Sequence, residues 1–172
     1  MTGARPEFSR LVPLARLGQE GFHRRIEAVP DELERLSRRF GLIALDRLTA
    51  MVELRRQSAE TILMEAAFEA EFVQSCVVTL DPVRGAIADR FTLVYGPADE
   101  AEGEVELAAD AAAFEPLSGD AIDIGEAVAQ ELSLSLPLFP RGPEEMVDAA
   151  TDEEPVRTPF AALARLRKPD PG

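Results

Sequence analysis

The chain has 172 residues, 46% of them apolar and 29% charged, which suits one packed domain plus some tail and excludes wholesale disorder. One cysteine, one histidine and no tryptophan exclude an internal disulfide and a closed Cys/His zinc site. The net charge of −14 is unevenly laid: residues 1–56 carry eleven arginines against eight carboxylates, whereas residues 97–154 carry seventeen carboxylates against Arg141 alone.

Met1 to Arg10 holds no uninterrupted apolar run, and no stretch approaches the roughly 18 apolar residues of a membrane span, so a cytoplasmic protein without membrane contact is expected. Phe8, Arg10, Val12 and Leu14 alternate with their neighbours, as do Phe22, Arg24, Ile26 and Ala28. Gly18 and Gly21 lie between, which predicts two strands around a turn. A helix follows. Pro30 suits its first turn, Asp31 and Glu32 favour the positive end of its dipole, and Arg38 and Arg39 crowd the negative end before Gly41 stops it. Leu33, Leu36 and Phe40 share one face. Leu42, Ile43, Leu45 and Leu48 form an apolar bridge with the spacing of another helical turn.

From Ile62 to Phe72 the even positions are Ile62, Met64, Ala66, Phe68, Ala70 and Phe72, against Glu65, Glu69 and Glu71 at odd ones. This is a strand with one buried and one wet face. Ala50, Val52 and Leu54 alternate upstream, so Gln57 to Glu60 reads as a hairpin turn. Val77 to Leu80 leads into the turn signal Asp81-Pro82, and a strand from Ile87 to Tyr95 stops at Gly96-Pro97. Together these predict a three- or four-stranded antiparallel meander. Residues 97–116 read as an acidic loop with a short strand near Val105 and Leu107.

Asp123 and Glu126 have capping-box spacing for a second helix, in which Ile124, Val128, Leu132 and Leu136 recur every four residues until Pro137. From Pro140 the prolines and acids predict disorder, closed by Phe160, Leu163 and Leu166 among Arg165, Arg167 and Lys168. The expected fold is α+β: an antiparallel sheet of about six strands packed by two helices. Residues 1–140 would form one domain and 141–172 an acidic, disordered tail.

The residues for most catalytic chemistries are missing. No phosphate-binding glycine motif occurs, the single lysine is Lys168, and the carboxylates lack calcium-loop spacing, so neither cofactor nor metal is expected. Cys76 reads as a small buried hydrophobe at a strand start and His23 as a residue on a strand's wet face, not as a nucleophile–base pair. The chain is therefore expected not to be an enzyme. Arg24 and Arg25, then Arg35, Arg38 and Arg39, then Arg55 and Arg56, are candidates for an RNA-facing patch. No aromatic stacking platform accompanies them, and Glu34 with Arg38 is an ordinary i,i+4 pair. A solvated helix face is the preferred reading.

Two segments resemble a known family. The first is Cys76-Val77-Val78-Thr79-Leu80-Asp81-Pro82, preceded by Gln74 and followed by Phe91. The second is Glu115-Pro116-Leu117, Asp120, Ile122-Asp123-Ile124-Gly125-Glu126, and Glu131-Leu132 running to Leu136-Pro137. With the closing Pro159-Phe160-Ala161 to Leu166, these are similar to the YceD family from about Phe8 to Pro140, with Cys76, Thr79, Pro82, Gly125 and Pro137 as motif positions. The resemblance implies a part in accumulation of large-subunit (23S) ribosomal RNA and in ribosome biogenesis. Many relatives carry a second cysteine where Thr79 stands and another near the end, for which Arg141 to Met146 offers nothing. A metal site on those cysteines would be absent here.

Joined to the charge pattern, the resemblance implies a non-catalytic factor acting through protein contacts. Asp120, Asp123, Glu126 and Glu131 would offer carboxylates to a basic partner, a ribosomal protein or assembly factor, because acidic surfaces repel phosphate and favour basic partners. The alternative is direct binding of ribosomal RNA through Arg24, Arg25, Arg35, Arg38 and Arg39. Neither DNA nor a membrane is an expected partner.

Overall fold

The period-two segment after Thr61 forms the spine of the sheet. A computed structural model describes residues 6–18, 21–97, 113–117 and 119–142. The expected strand near Val105 and Leu107, the acidic tail and its Phe160/Leu163/Leu166 end motif lie outside the described residues.

The central strands are β3 (Ala44–Arg56), β4 (Ile62–Ser75) and β5 (Pro82–Gly96), long and antiparallel. All six even positions from Ile62 to Phe72 are buried, as are Ala50, Val52 and Leu54 on β3. Before them, β1 (Leu11–Pro13) leads through a 3-10 turn at Leu14–Arg16 to β2 (Phe22–Glu27). Helix α1 (Pro30–Phe40) has proline in its first turn and ends on Gly41 at φ 66°, a left-handed position that suits glycine. The later elements among the described residues are β6 (Ala113–Pro116), β7 (Ala121–Asp123) and α2 (Ile124–Ser135). Leu36 of α1 and Ile124, Val128 and Leu132 of α2 join the inner face of the sheet in one buried cluster.

The α+β class and the two helices hold, but the strands differ from the single antiparallel sheet expected. One sheet has the order β2-β3-β4-β5-β6, and β1 pairs with β7 in a separate two-stranded sheet, so the seven strands among the described residues are divided between two sheets. β6 runs parallel to β5, with Leu93 opposite Ala113. A parallel partner requires a crossover of a dozen or more residues, and the stretch from 97 to 112 is long enough to supply it.

Local alternation identified strands but not partners. β1 and β2 do not form a hairpin with each other. The turn at Leu14–Arg16 redirects the chain, Val12 lies opposite Ile122, and Ile26 lies opposite Ala50.

The bridge from Leu42 to Leu48 is not helical. Its second half begins β3, and a bulge between Leu45 and Arg47 adds one residue to the strand. Buried positions therefore fall at Leu45 and Leu48 before settling to Ala50, Val52 and Leu54, and that first spacing of three imitates a helix. Cys76 likewise follows the end of β4 instead of starting a strand. Val77 to Thr79 form the turn into β5.

Candidate interaction site

The Asp-Ile-Gly-Glu motif begins at the junction of β7 and α2. Asp123 Oδ1 accepts the Gly125 and Glu126 backbone N–H groups, both at 3.2 Å, satisfying two otherwise orphaned donors of the first helical turn. The same oxygen accepts the Arg10 N–H at 2.7 Å, and Oδ2 accepts the Ser9 hydroxyl at 2.5 Å. Ile124 is fully buried, and its N–H donates to the Arg10 carbonyl at 3.2 Å. Gly125 admits the Phe8 carbonyl so closely that a Cβ would stand 2.1 Å from that oxygen.

Glu126 completes the clamp from the other side. Its oxygens accept from Arg39 Nη1 and Nη2 at 2.9 and 2.7 Å, and Glu7 accepts from Arg39 Nη1 at 2.9 Å. These bonds, led by those from Glu126, hold the Arg39 guanidinium well above its usual pKa. Arg10 makes a matching pair with Glu32, at 2.7 and 2.8 Å, which lowers the Glu32 pKa. Ser9, Arg10, Glu7 and Glu32 were not nominated from sequence, and no local signal could have found them. Ser9 and Arg10 meet Asp123 from more than 100 positions away.

The candidate acidic residues thus divide. Asp123 and Glu126 engage the chain's own N-terminal segment and α1. Asp120 is exposed, and its backbone carbonyl accepts the Leu14 N–H at 2.8 Å. Burial first, then the charges of Asp89 and Glu115, push the Glu131 carboxyl above the usual carboxylate range. Burial, then Glu115, Asp123 and Glu131, likewise raise the Tyr95 phenol well above its ordinary value.

Most of the candidate arginines are engaged by carboxylates of the chain itself. Arg35 pairs with Asp31 at 2.8 Å and Arg38 with Glu34 at 3.2 Å, each one turn away on α1. Arg39 is held by Glu126 and Glu7. Arg55 pairs with Glu65 and Glu53, while Arg56 reaches the backbone carbonyls of Ala59 and Leu14. Arg24 and Arg25 are exposed neighbours on β2, and successive strand side chains point to opposite faces. His23 lies 3.4 Å from Glu53, which opposes Glu65. Cys76 follows eleven residues further along the chain, roughly 30 Å or more at strand rise.

The Cys76–Pro82 motif wraps the sulfur. Cys76 is buried, and its Sγ accepts the Val78 and Thr79 N–H groups at 3.3 and 3.5 Å. Its N–H donates to the Asp81 carbonyl at 2.8 Å, and its carbonyl accepts the Leu80 N–H at 3.0 Å. Thr79 Oγ1 accepts the Asp81 N–H at 3.3 Å. Pro82 opens β5, a position that tolerates a missing N–H. Among the described residues, no group of three or more His, Cys, Asp or Glu is placed to hold a metal ion, and no helix is long and apolar enough to cross a membrane.

The two motif segments meet. Gln74 Nε2 donates to the Pro137 carbonyl at 3.1 Å, and the Val77 N–H donates to the Pro140 carbonyl at 3.0 Å. The family described as "Large ribosomal RNA subunit accumulation protein YceD" matches residues 64–167. No curated protein and no solved structure matches the chain. The matched stretch starts later than the resemblance from Phe8 suggested, leaving β1, β2, α1 and all of β3 outside it, but it contains both motifs and the bonds that join them. It spans more than half of the sequence, and the chain belongs to the YceD family.

Proposed function

We propose that this protein supports accumulation of large-subunit ribosomal RNA in the cytoplasm as a non-catalytic factor, through contact with a basic ribosomal protein or assembly factor. The family description supplies the ribosomal context. One observation carries the choice of a basic protein partner. The Glu131 pKa is raised chiefly by burial and then by the neighbouring charges of Asp89 and Glu115, and among the described residues none of the three has an arginine partner. A cation supplied from outside relieves that repulsion, and electrostatic complementarity of this kind selects partners. Asp120 adds a further exposed carboxylate, whereas Asp123 and Glu126 are occupied within the chain.

Direct RNA binding is the second reading. It rests on Arg24 and Arg25, exposed and without a carboxylate partner among the described residues. Arg35, Arg38 and Arg39 contribute less, since their charges are answered by Asp31, Glu34, Glu126 and Glu7. Affinity purification with and without RNase separates the two. Basic proteins that remain after RNase, and leave when Asp89→Asn and Glu131→Gln are combined, support protein contact. Partners that all vanish with RNase, together with RNA affinity falling log-linearly with salt, support the second reading instead.

A further inference from the structure

Large apolar side chains exposed to water concentrate where the two motif segments meet. Val77, Val78 and Leu80 on the loop after β4 are 46%, 64% and 74% exposed, and Leu138 and Phe139 after α2 are 84% and 75% exposed. The bonds from Gln74 to Pro137 and from Val77 to Pro140 lay these segments side by side. Scattered exposed apolar residues are ordinary, but five on adjoining segments form the kind of patch that marks an interaction surface.

Leu80 gives a second indication. Its φ of 68° makes it the one non-glycine residue with positive φ among the described residues. Branched side chains are disfavoured there, and glycine would serve the backbone better. The bonds that fix the turn, Leu80 N–H to the Cys76 carbonyl and Ser75 Oγ to the Leu80 carbonyl, need no leucine. A strained position that aims an apolar side chain at water is explained by use, not by packing.

The surroundings select the occupant. Ser135 Oγ donates to Asp89 at 2.9 Å, and Glu131 lies one turn earlier on α2, so the acidic group borders the stretch that leads into Leu138 and Phe139. A second copy would set acid beside acid and one chain of net charge −14 against another. An apolar strip flanked by lysine or arginine satisfies both parts of the surface at once.

We infer that Val77, Val78, Leu80, Leu138 and Phe139 form a docking surface for an amphipathic, basic segment of a partner protein, its apolar face on the patch and its cations beside Asp89 and Glu131. This rests on the protein-contact reading above and adds the place of contact.

The test uses the full chain and a short fluorescein-labelled helical peptide of leucine and lysine, read by fluorescence anisotropy. Controls are its scrambled isomer and a leucine–glutamate counterpart. The leucine–lysine helix should bind about tenfold tighter than either control. Val78→Asp with Leu80→Asp, or Leu138→Asp with Phe139→Asp, should weaken it about tenfold while thermal melts stay unchanged. Equal binding by the variants, or by the acidic peptide, overturns the proposal. A dimer in sedimentation velocity that the same variants abolish also overturns it, assigning the patch to a second copy. So does binding that emerges only with Phe160→Asp and Leu163→Asp, which assigns it to the chain's own terminal segment. RNase-resistant basic partners that both pairs of variants retain sink the docking surface alone, whereas the lack of any such partner for the wild type sinks the protein-contact reading.

Discussion

Arg39 on α1 and Glu126 on α2 form a two-pronged ion pair, with N–O distances of 2.9 and 2.7 Å. One residue belongs to the arginine set that sequence offers to RNA, the other to the acid set that it offers to a basic partner. They neutralise each other instead, and tie the two helices together. Partial exposure screens the pair, so Arg39→Ala or Glu126→Ala should cost about 1 kcal/mol, with a coupling of about 0.5–1 kcal/mol in a double-mutant cycle by urea unfolding. Additive effects would mean that solvent already answers both charges.

Asp123 does more than cap a helix. Its loss leaves the Gly125 and Glu126 N–H groups uncapped, about 1 kcal/mol, and also strips the Ser9 hydroxyl and the Arg10 N–H of their acceptor. Asp123→Ala should therefore destabilise by about 2–3 kcal/mol in urea titrations, while Asp123→Asn, which retains an acceptor oxygen, should lose about 1 kcal/mol.

The capping role was legible in the sequence because acceptor, spacing and following apolar period lie within one segment. The rest of the clamp was not, since its other half comes from Ser9, Arg10 and Arg39. The same division runs through the fold. Alternation from Ile62 to Phe72 declared β4 and its buried face, and Pro30 and Gly41 bounded α1. Pairing of Val12 with Ile122, and the parallel run of β6 beside β5, depend on long-range contacts that no local period encodes. At Leu45 and Leu48 a bulge altered the period itself. The exposed Val78 and Leu80 read only as the approach to the turn signal Asp81-Pro82, and the turn around Cys76 reveals that they face water.

Gly125 reverses the usual rule for helices. Replacing a helical glycine by alanine ordinarily gains up to about 1 kcal/mol. Here the new Cβ would stand 2.1 Å from the Phe8 oxygen and 3.0 Å from its carbon, both backbone atoms that cannot turn aside. Gly125→Ala should destabilise by about 3 kcal/mol or more and release the N-terminal segment. Faster amide exchange at Arg10, whose N–H is bonded to Asp123, is the specific readout.

Glu32 on α1 and Glu131 on α2 should respond to acid in opposite senses. The bonds from Arg10, foremost, lower the Glu32 pKa below its ordinary 4.5, so its contribution is present above that value and lost as pH falls through the folded one. Glu131 is raised above 4.5, chiefly by burial and then by Asp89 and Glu115. The folded state holds that proton more tightly than the unfolded state, so stability falls as pH rises from 4.5 through the raised value. Glu131→Gln should therefore exceed the wild type in stability at neutral pH, with the advantage fading in acid. Glu32→Gln should be the less stable at neutral pH and converge with the wild type well below 4.5. Urea midpoints across a pH series separate the two curves.

Leu80 sets stability against use most directly. A leucine at φ 68° bears about 1–2 kcal/mol of steric cost, and with its side chain 74% exposed it recovers little by burial. Glycine removes that cost but adds unfolded-state freedom of about 0.5–1 kcal/mol, so Leu80→Gly should raise stability by about 0.5–1 kcal/mol. The same change removes one of the five apolar side chains at the motif junction, so peptide binding should weaken as the protein becomes harder to unfold. A destabilised Leu80→Gly would show that the leucine packs in solution and would withdraw the strain argument. A stabilised variant with undiminished binding would leave the strain in place and take Leu80 out of the docking surface.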